Sequence, residues 1–166
     1  MREFSKRSSG FSHCYIASHG TSGRLQSLIE DVNSATIANA CRGCRGRGFF
    51  VSVCAFGNAR TATGFLRKTG AHFVAGYSEY VPWMESMLVD LLLLTYVFRG
   101  RGRTEPIGRS HRFTFRRDDT LAVTRTTDPL KVAKWVCEDL PVAKKLGFVV
   151  YRRRVVRGRA VIDRYP

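Results

Sequence analysis

No run of apolar residues in this chain is long enough to cross a bilayer. The longest, residues 87–98, covers about twelve positions and is interrupted by Asp90, against the roughly twenty that a spanning helix needs. It is expected to be a buried core helix, and no membrane partner is expected. The amino terminus carries Arg2, Lys6 and Arg7 with no continuous apolar segment behind them, which argues against a secretory leader and points to the cytoplasm. The cysteines (Cys14, Cys41, Cys44, Cys54, Cys137) are odd in number and lack an export signal. Reduced thiols are therefore expected, not a disulfide framework. No internal repeat is apparent.

Acidic residues are also scarce. Against 28 Lys and Arg there are 13 Asp and Glu, a formal charge of +15. The excess is uneven: residues 1–96 hold ten basic against six acidic side chains, and residues 97–166 hold eighteen against seven. It gathers in the Arg/Gly run at 99–103, at Arg116 and Arg117, and at Arg152, Arg153 and Arg154. Such clusters can follow a nucleic-acid backbone without sequence preference, or meet an acidic partner. They can equally form a solvated face, and the RNA-binding pattern of aromatics interleaved with basic residues is missing. What is present is ordinary for a folded domain: 166 residues, 44% hydrophobic and 25% charged, enough for one core without staples.

Two short apolar runs organise the chain. Residues 15–18 lead into His19-Gly20, and residues 49–53 lead into Cys54-Ala55. Each reads as a buried strand delivering one reactive group to the sheet edge. Between them, Asp31 is a plausible N-cap for a helix bearing Val32, Ala35, Ile37, Ala38 and Ala40, stopped by Gly43, Gly46 and Gly48. A helix at 61–68 closed by Gly70, a third apolar run at 71–75 and a helix begun by Pro82 complete a strand and helix alternation that predicts a parallel sheet. Beyond Phe98 an irregular connection reaches about Ser110, with a short strand at 111–117. Thr127-Asp128-Pro129 starts another helix, Pro141 kinks or restarts it, and Gly147 ends it. Residues 148–156 and 159–162 read as an Arg-rich hairpin turning at Arg157-Gly158.

A thiol and an imidazole at neighbouring strand ends supply a nucleophile and its base. The oxyanion of an acyl-transfer intermediate needs donors at the same place, and the backbone N–H groups of Gly20 and Cys54 are candidates. On pattern alone both side chains could equally be packing. Cys41-Arg42-Gly43-Cys44 has half a zinc spacing, but no second such pair exists. His13 and Cys14, adjacent in a strand, would face opposite sides, so no metal and no cofactor is expected. His72 and His111 have no assigned partner.

The segments YIASHG (15–20), FFVSVCA (49–55) and TGFLRKTGAHFVAGYSEYVPWMESMLVDLLLL (63–94) together resemble the caspase-like (clan CD) cysteine peptidases, the bacterial CHAT-type members in particular. That family shares an apolar strand ending in His-Gly and a second ending in Cys. The resemblance covers about half the chain, residues 15–98. It implies a three-layer α/β sandwich with a mostly parallel sheet. A strand and helix normally precede the His strand, whereas about ten polar residues do here, so the usual first strand is expected to be missing.

The resemblance also implies roles. His19 is the general base, Cys54 the nucleophile and Gly20 an oxyanion donor, with no obligatory third member. The pocket for the residue before the scissile bond falls on Gly76, Tyr77, Ser78 and Glu79, with Glu85 as a second acid. A buried carboxylate there would favour Arg or Lys in the substrate, while the basic surface would favour acidic ones. The domain expected is 1–166, with a catalytic sheet core at 11–98, a basic connection and short strand at 99–126, and a helix with hairpin at 127–166. Its expected partner is a peptide or protein substrate, with a regulatory protein or complementing chain alongside. The alternative is an inactive caspase-like scaffold that binds nucleic acid or an acidic protein.

Overall fold

The computed structural model of the chain describes residues 12–21, 23–26, 30–99, 103–107, 110–114 and 128–166. The polar stretch 1–10, Leu28, Ile29, most of the Arg/Gly run, Arg116, Arg117 and Thr127 lie outside the described residues.

A five-stranded mixed sheet carries the fold. Its strands are β1 (His13–Ala17), β5 (Gly48–Ser52), β6 (Phe73–Tyr77), β9 (Phe148–Val156) and β10 (Arg159–Tyr165), side by side in that order. β1, β5 and β6 run parallel. β9 is antiparallel to β6, and β10 to β9. The expectation of a mostly parallel sheet is thus corrected to an even division of parallel and antiparallel pairings. The last two strands form a tight hairpin, which cannot join parallel neighbours. Arg157 and Gly158 both take positive φ at its turn, 49° and 77°, the geometry that matches strand twist in two-residue loops.

Alternation along the strands sends side chains to two helical layers. Phe49, Val51, Val74, Val149 and Tyr151 face α1 (Ser34–Ala40) and α2 (Ala59–Thr69). Phe50, Phe73, Ala75, Tyr77, Phe148 and Val150 face α3 (Trp83–Arg99), α4 (Pro129–Asp139) and the short α5 (Val142–Lys145). The molecule is therefore an α/β domain with helices on both faces of the sheet. Full burial of an aromatic such as Phe49 or Phe65 contributes about 2–3 kcal/mol.

Local signals set several boundaries. Asn58 caps α2 by accepting from Thr61 N at 3.0 Å, and Gly70 closes it in the left-handed region at φ 71°. Asp128 caps α4 by accepting from Leu130 N at 2.9 Å, ahead of Pro129. Asp31, expected to cap α1, does not. Asn33 accepts from Thr36 N at 2.8 Å instead, because Val32 and Asn33 are drawn into a small antiparallel sheet. That sheet comprises β2 (Gly20–Thr21), β3 (Arg24–Leu25) and β4 (Val32–Asn33). The third apolar strand begins two residues later than its sequence suggests. Part of the expected irregular connection is also ordered, since β7 (Arg103–Ile107) pairs antiparallel with β8 (Ser110–Thr114).

α3 differs from expectation in its exposure. Its apolar composition on several faces predicts burial all round, yet Met84, Leu88 and Leu91 are more than half exposed. Only Ser86, Val89, Asp90, Leu93 and Tyr96 are fully inside. Among the described residues, one layer of sheet and one neighbouring helix cover a single side of it.

Candidate active site

β1 and β5 align in register from His13 opposite Gly48 to Ala17 opposite Ser52. The ladder ends there, two residues before His19 and Cys54, and the His19 carbonyl accepts from Gln26 N at 2.8 Å, beside the two short strands that follow it. The bond from Ser18 N to Ser52 O at 3.2 Å closes the last pair of the ladder. Gly20 pairs with Leu25 in the small antiparallel sheet and is buried against Val53. The two strand ends thus emerge side by side. His19 is exposed and Cys54 half-buried. The hydrogen bond of the Cys54 thiol runs to the main-chain oxygen of Val81 at 3.8 Å, not to the imidazole.

The turn after Cys54 is tightly held. Ala55 has φ 55°, a left-handed conformation that costs a non-glycine residue about 1–2 kcal/mol. Its N–H donates to Glu79 O at 2.9 Å, and Gly57 N donates to Tyr77 O at 2.7 Å. A Cβ on Gly57 would lie 2.8 Å from the Tyr77 carbonyl carbon, so only glycine permits that approach. Residues 54–57 and 77–81 consequently form one backbone-bonded rim around the thiol.

The residues expected to form a substrate pocket divide by exposure. Gly76 and Tyr77 are buried inside the sheet, Ser78 donates to Gly147 O at 3.1 Å, and Glu79 and Glu85 are exposed. The Glu79 side chain lies against Gly147. Neither carboxylate is the buried acid that a basic substrate side chain would need. The exposed large hydrophobic side chains closest in sequence to Val81 are Tyr80, Trp83 and Met84.

Behind the rim stands a group that sequence reading passed over. Asp90, 6% exposed, accepts from Tyr77 Oη through Oδ1 and from Tyr15 Oη through Oδ2, each at 2.8 Å. The Tyr77 hydroxyl also lies 2.9 Å from Ser86 O. Burial and the bonds to Asp90 push the Tyr15 phenol up to about 12. Burial and Asp90 raise Tyr77 further above its ordinary range. The visible signal was an acid in the apolar middle of the helix, which had to find donors.

Cys14, Cys41, Cys44, Cys137 and His13 behave as packing groups. Burial, with Cys44 and Cys14 nearby, pushes Cys41 up to about 12, and Cys44 and Cys137 are raised chiefly by burial. His13 stacks on Phe50 at 5.7 Å, while Cys14 packs on the opposite face. Among the described residues no group of three His, Cys, Asp or Glu could hold a metal ion. Burial and Arg152 lower the pKa of His72. His111 sits in β8.

On the hairpin, Arg152 pairs with Asp128 at 2.6 Å and Asp163 at 2.8 Å, and Arg154 with Asp163 at 2.7 Å. These guanidinium groups are engaged internally. No helix among the described residues is long and apolar enough to cross a membrane. No protein-family model matches the chain, and no curated protein or solved structure does.

Proposed function

We propose that the chain is a caspase-like cysteine endopeptidase, with Cys54 as nucleophile and His19 as general base. The observation that carries this reading is the parallel pairing of β1 and β5, whose ladder ends at Ala17 and Ser52, two residues before His19 and Cys54, with Gly20 packed against Val53. The thiol turns from the Val81 carbonyl toward the imidazole, and His19 accepts its proton. The thiolate attacks the scissile carbonyl, and the backbone N–H groups of Gly20 and Cys54 take the oxyanion. Collapse of the intermediate leaves a thioester on Cys54 as His19 returns the proton to the departing amine. Water then releases the acid and restores the thiol. No metal or cofactor enters these steps.

Labelling with peptidyl thiol-reactive probes of varied leading residue tests the proposal. Cys54 is expected to be the labelled site. Cys54→Ala is expected to abolish labelling and His19→Ala to reduce it at least about a hundredfold, both with unchanged circular dichroism. Labelling indifferent to His19 sinks the reading in favour of the inactive scaffold. The internal pairing of Arg152 and Arg154 lends that scaffold's proposed nucleic-acid role less support than the sequence alone does.

A further inference from the structure

We propose that β1 and the outer stripe of α3 form the contact between two copies of this chain, joined strand edge to strand edge and helix to helix. Met84, Leu88, Leu91 and Phe98, with Thr95 between the last two, recur at alternating steps of four and three, the spacing of a helix seam. Met84 is 60% exposed, Leu88 and Leu91 54% each, and Phe98 41%. The stripe is continuous with the sheet edge: Phe98 meets the His13 ring edge-on at 5.4 Å, and Tyr15 bonds Asp90 of α3 while staying 46% exposed. Among the described residues β1 pairs only with β5, and no described strand pairs with its other side.

Charge favours a second copy of the chain as the occupant. A chain of net charge +15 repels its own copies wherever basic side chains face each other. β1 contains no Lys, Arg, Asp or Glu, and from Trp83 to Phe98 the charged residues are Glu85 and the buried Asp90. The opposite sheet edge, β10, carries Arg159, Asp163 and Arg164, the kind of charge that blunts an edge against pairing. One edge is therefore guarded and the other is not. An open strand beside an apolar helix is complemented by an open strand beside an apolar helix. A second copy turned about a two-fold axis supplies both at once. The inference does not depend on the peptidase reading.

Sedimentation of the full chain across a wide concentration range tests it. A concentration-dependent dimer is expected. Leu88→Lys with Leu91→Lys is expected to weaken association at least about tenfold, and Val155→Lys, at an equally exposed apolar position on the hairpin, to leave it intact. In a second measurement, Leu91→Cys at mid-stripe is expected to give a disulfide-linked dimer under mild oxidation, in excess of the native-cysteine background and of Val155→Cys. This crosslink decides the matter if the double lysine variant fails to fold. A monomer at every concentration, or a dimer indifferent to the α3 substitutions without selective crosslinking at Leu91, overturns the proposal.

Discussion

Gly20 lies so close to Val53 that a Cβ on it would fall 2.3 Å from Val53 Cγ1 and 2.4 Å from the Arg24 carbonyl oxygen. The second clash is with backbone, which cannot rotate away. Gly20→Ala is therefore expected to destabilise the fold by about 1–3 kcal/mol and to displace the His19 strand end. Val53→Ala in the same chain should restore only part of the loss, because Arg24 remains. Urea denaturation of the single and double variants measures this, and a neutral Gly20→Ala would contradict the close approach.

At Ala55 the expectation has the opposite sign. A left-handed residue other than glycine holds local strain, so Ala55→Gly should be neutral or stabilising by up to about 1 kcal/mol. Ala55→Val should be clearly destabilising, since a β-branched side chain tolerates that backbone least. Thermal melts of the two variants give the comparison.

Alkaline stability should report on the tyrosines around Asp90. Their folded-state pKa values lie above the unfolded value near 10, Tyr15 at about 12 and Tyr77 higher still. Above pH 10 the unfolded chain loses these protons first, so their contribution, complete below pH 10, falls as pH rises through 12. Tyr77→Phe should flatten that decline. It should also cost roughly 1–3 kcal/mol at neutral pH by leaving the buried Asp90 short of a donor. Tyrosinate absorbance followed together with circular dichroism tests both effects.

The acid limb should respond to Asp163. Hydrogen bonds from Arg152 and Arg154 hold its carboxyl below the usual range, so its contribution is present above the ordinary aspartate pKa and is lost as pH falls through the depressed one. Asp163→Asn should lower the melting temperature at neutral pH and reduce its fall in acid. Added salt should shrink the difference, since the site is open to water.

Thiol titration should separate the cysteines by burial. Cys41, Cys44 and Cys137 are buried, while Cys14 and Cys54 are partly accessible. In the native protein the fast-reacting class should contain only those two, and Cys54→Ala should remove one of them. All five should react in denaturant.

Much of this was already written in the chain. The Asp128 cap, the Gly70 stop, the restart at Pro141 and the hairpin turn at Arg157-Gly158 each depend on a few neighbouring residues whose backbone preferences act locally. So did the two apolar runs and the reactive residue at the end of each. Their lateral order and shared register were decided elsewhere, because pairing joins residues far apart in sequence and depends on which faces the helices cover. Long-range hydrogen bonding moved the α1 cap from Asp31 to Asn33 and drew the Tyr15 and Tyr77 hydroxyls onto Asp90. Only the packed structure left the apolar stripe of α3 uncovered, since composition makes a helix apolar but its neighbours determine which side meets water.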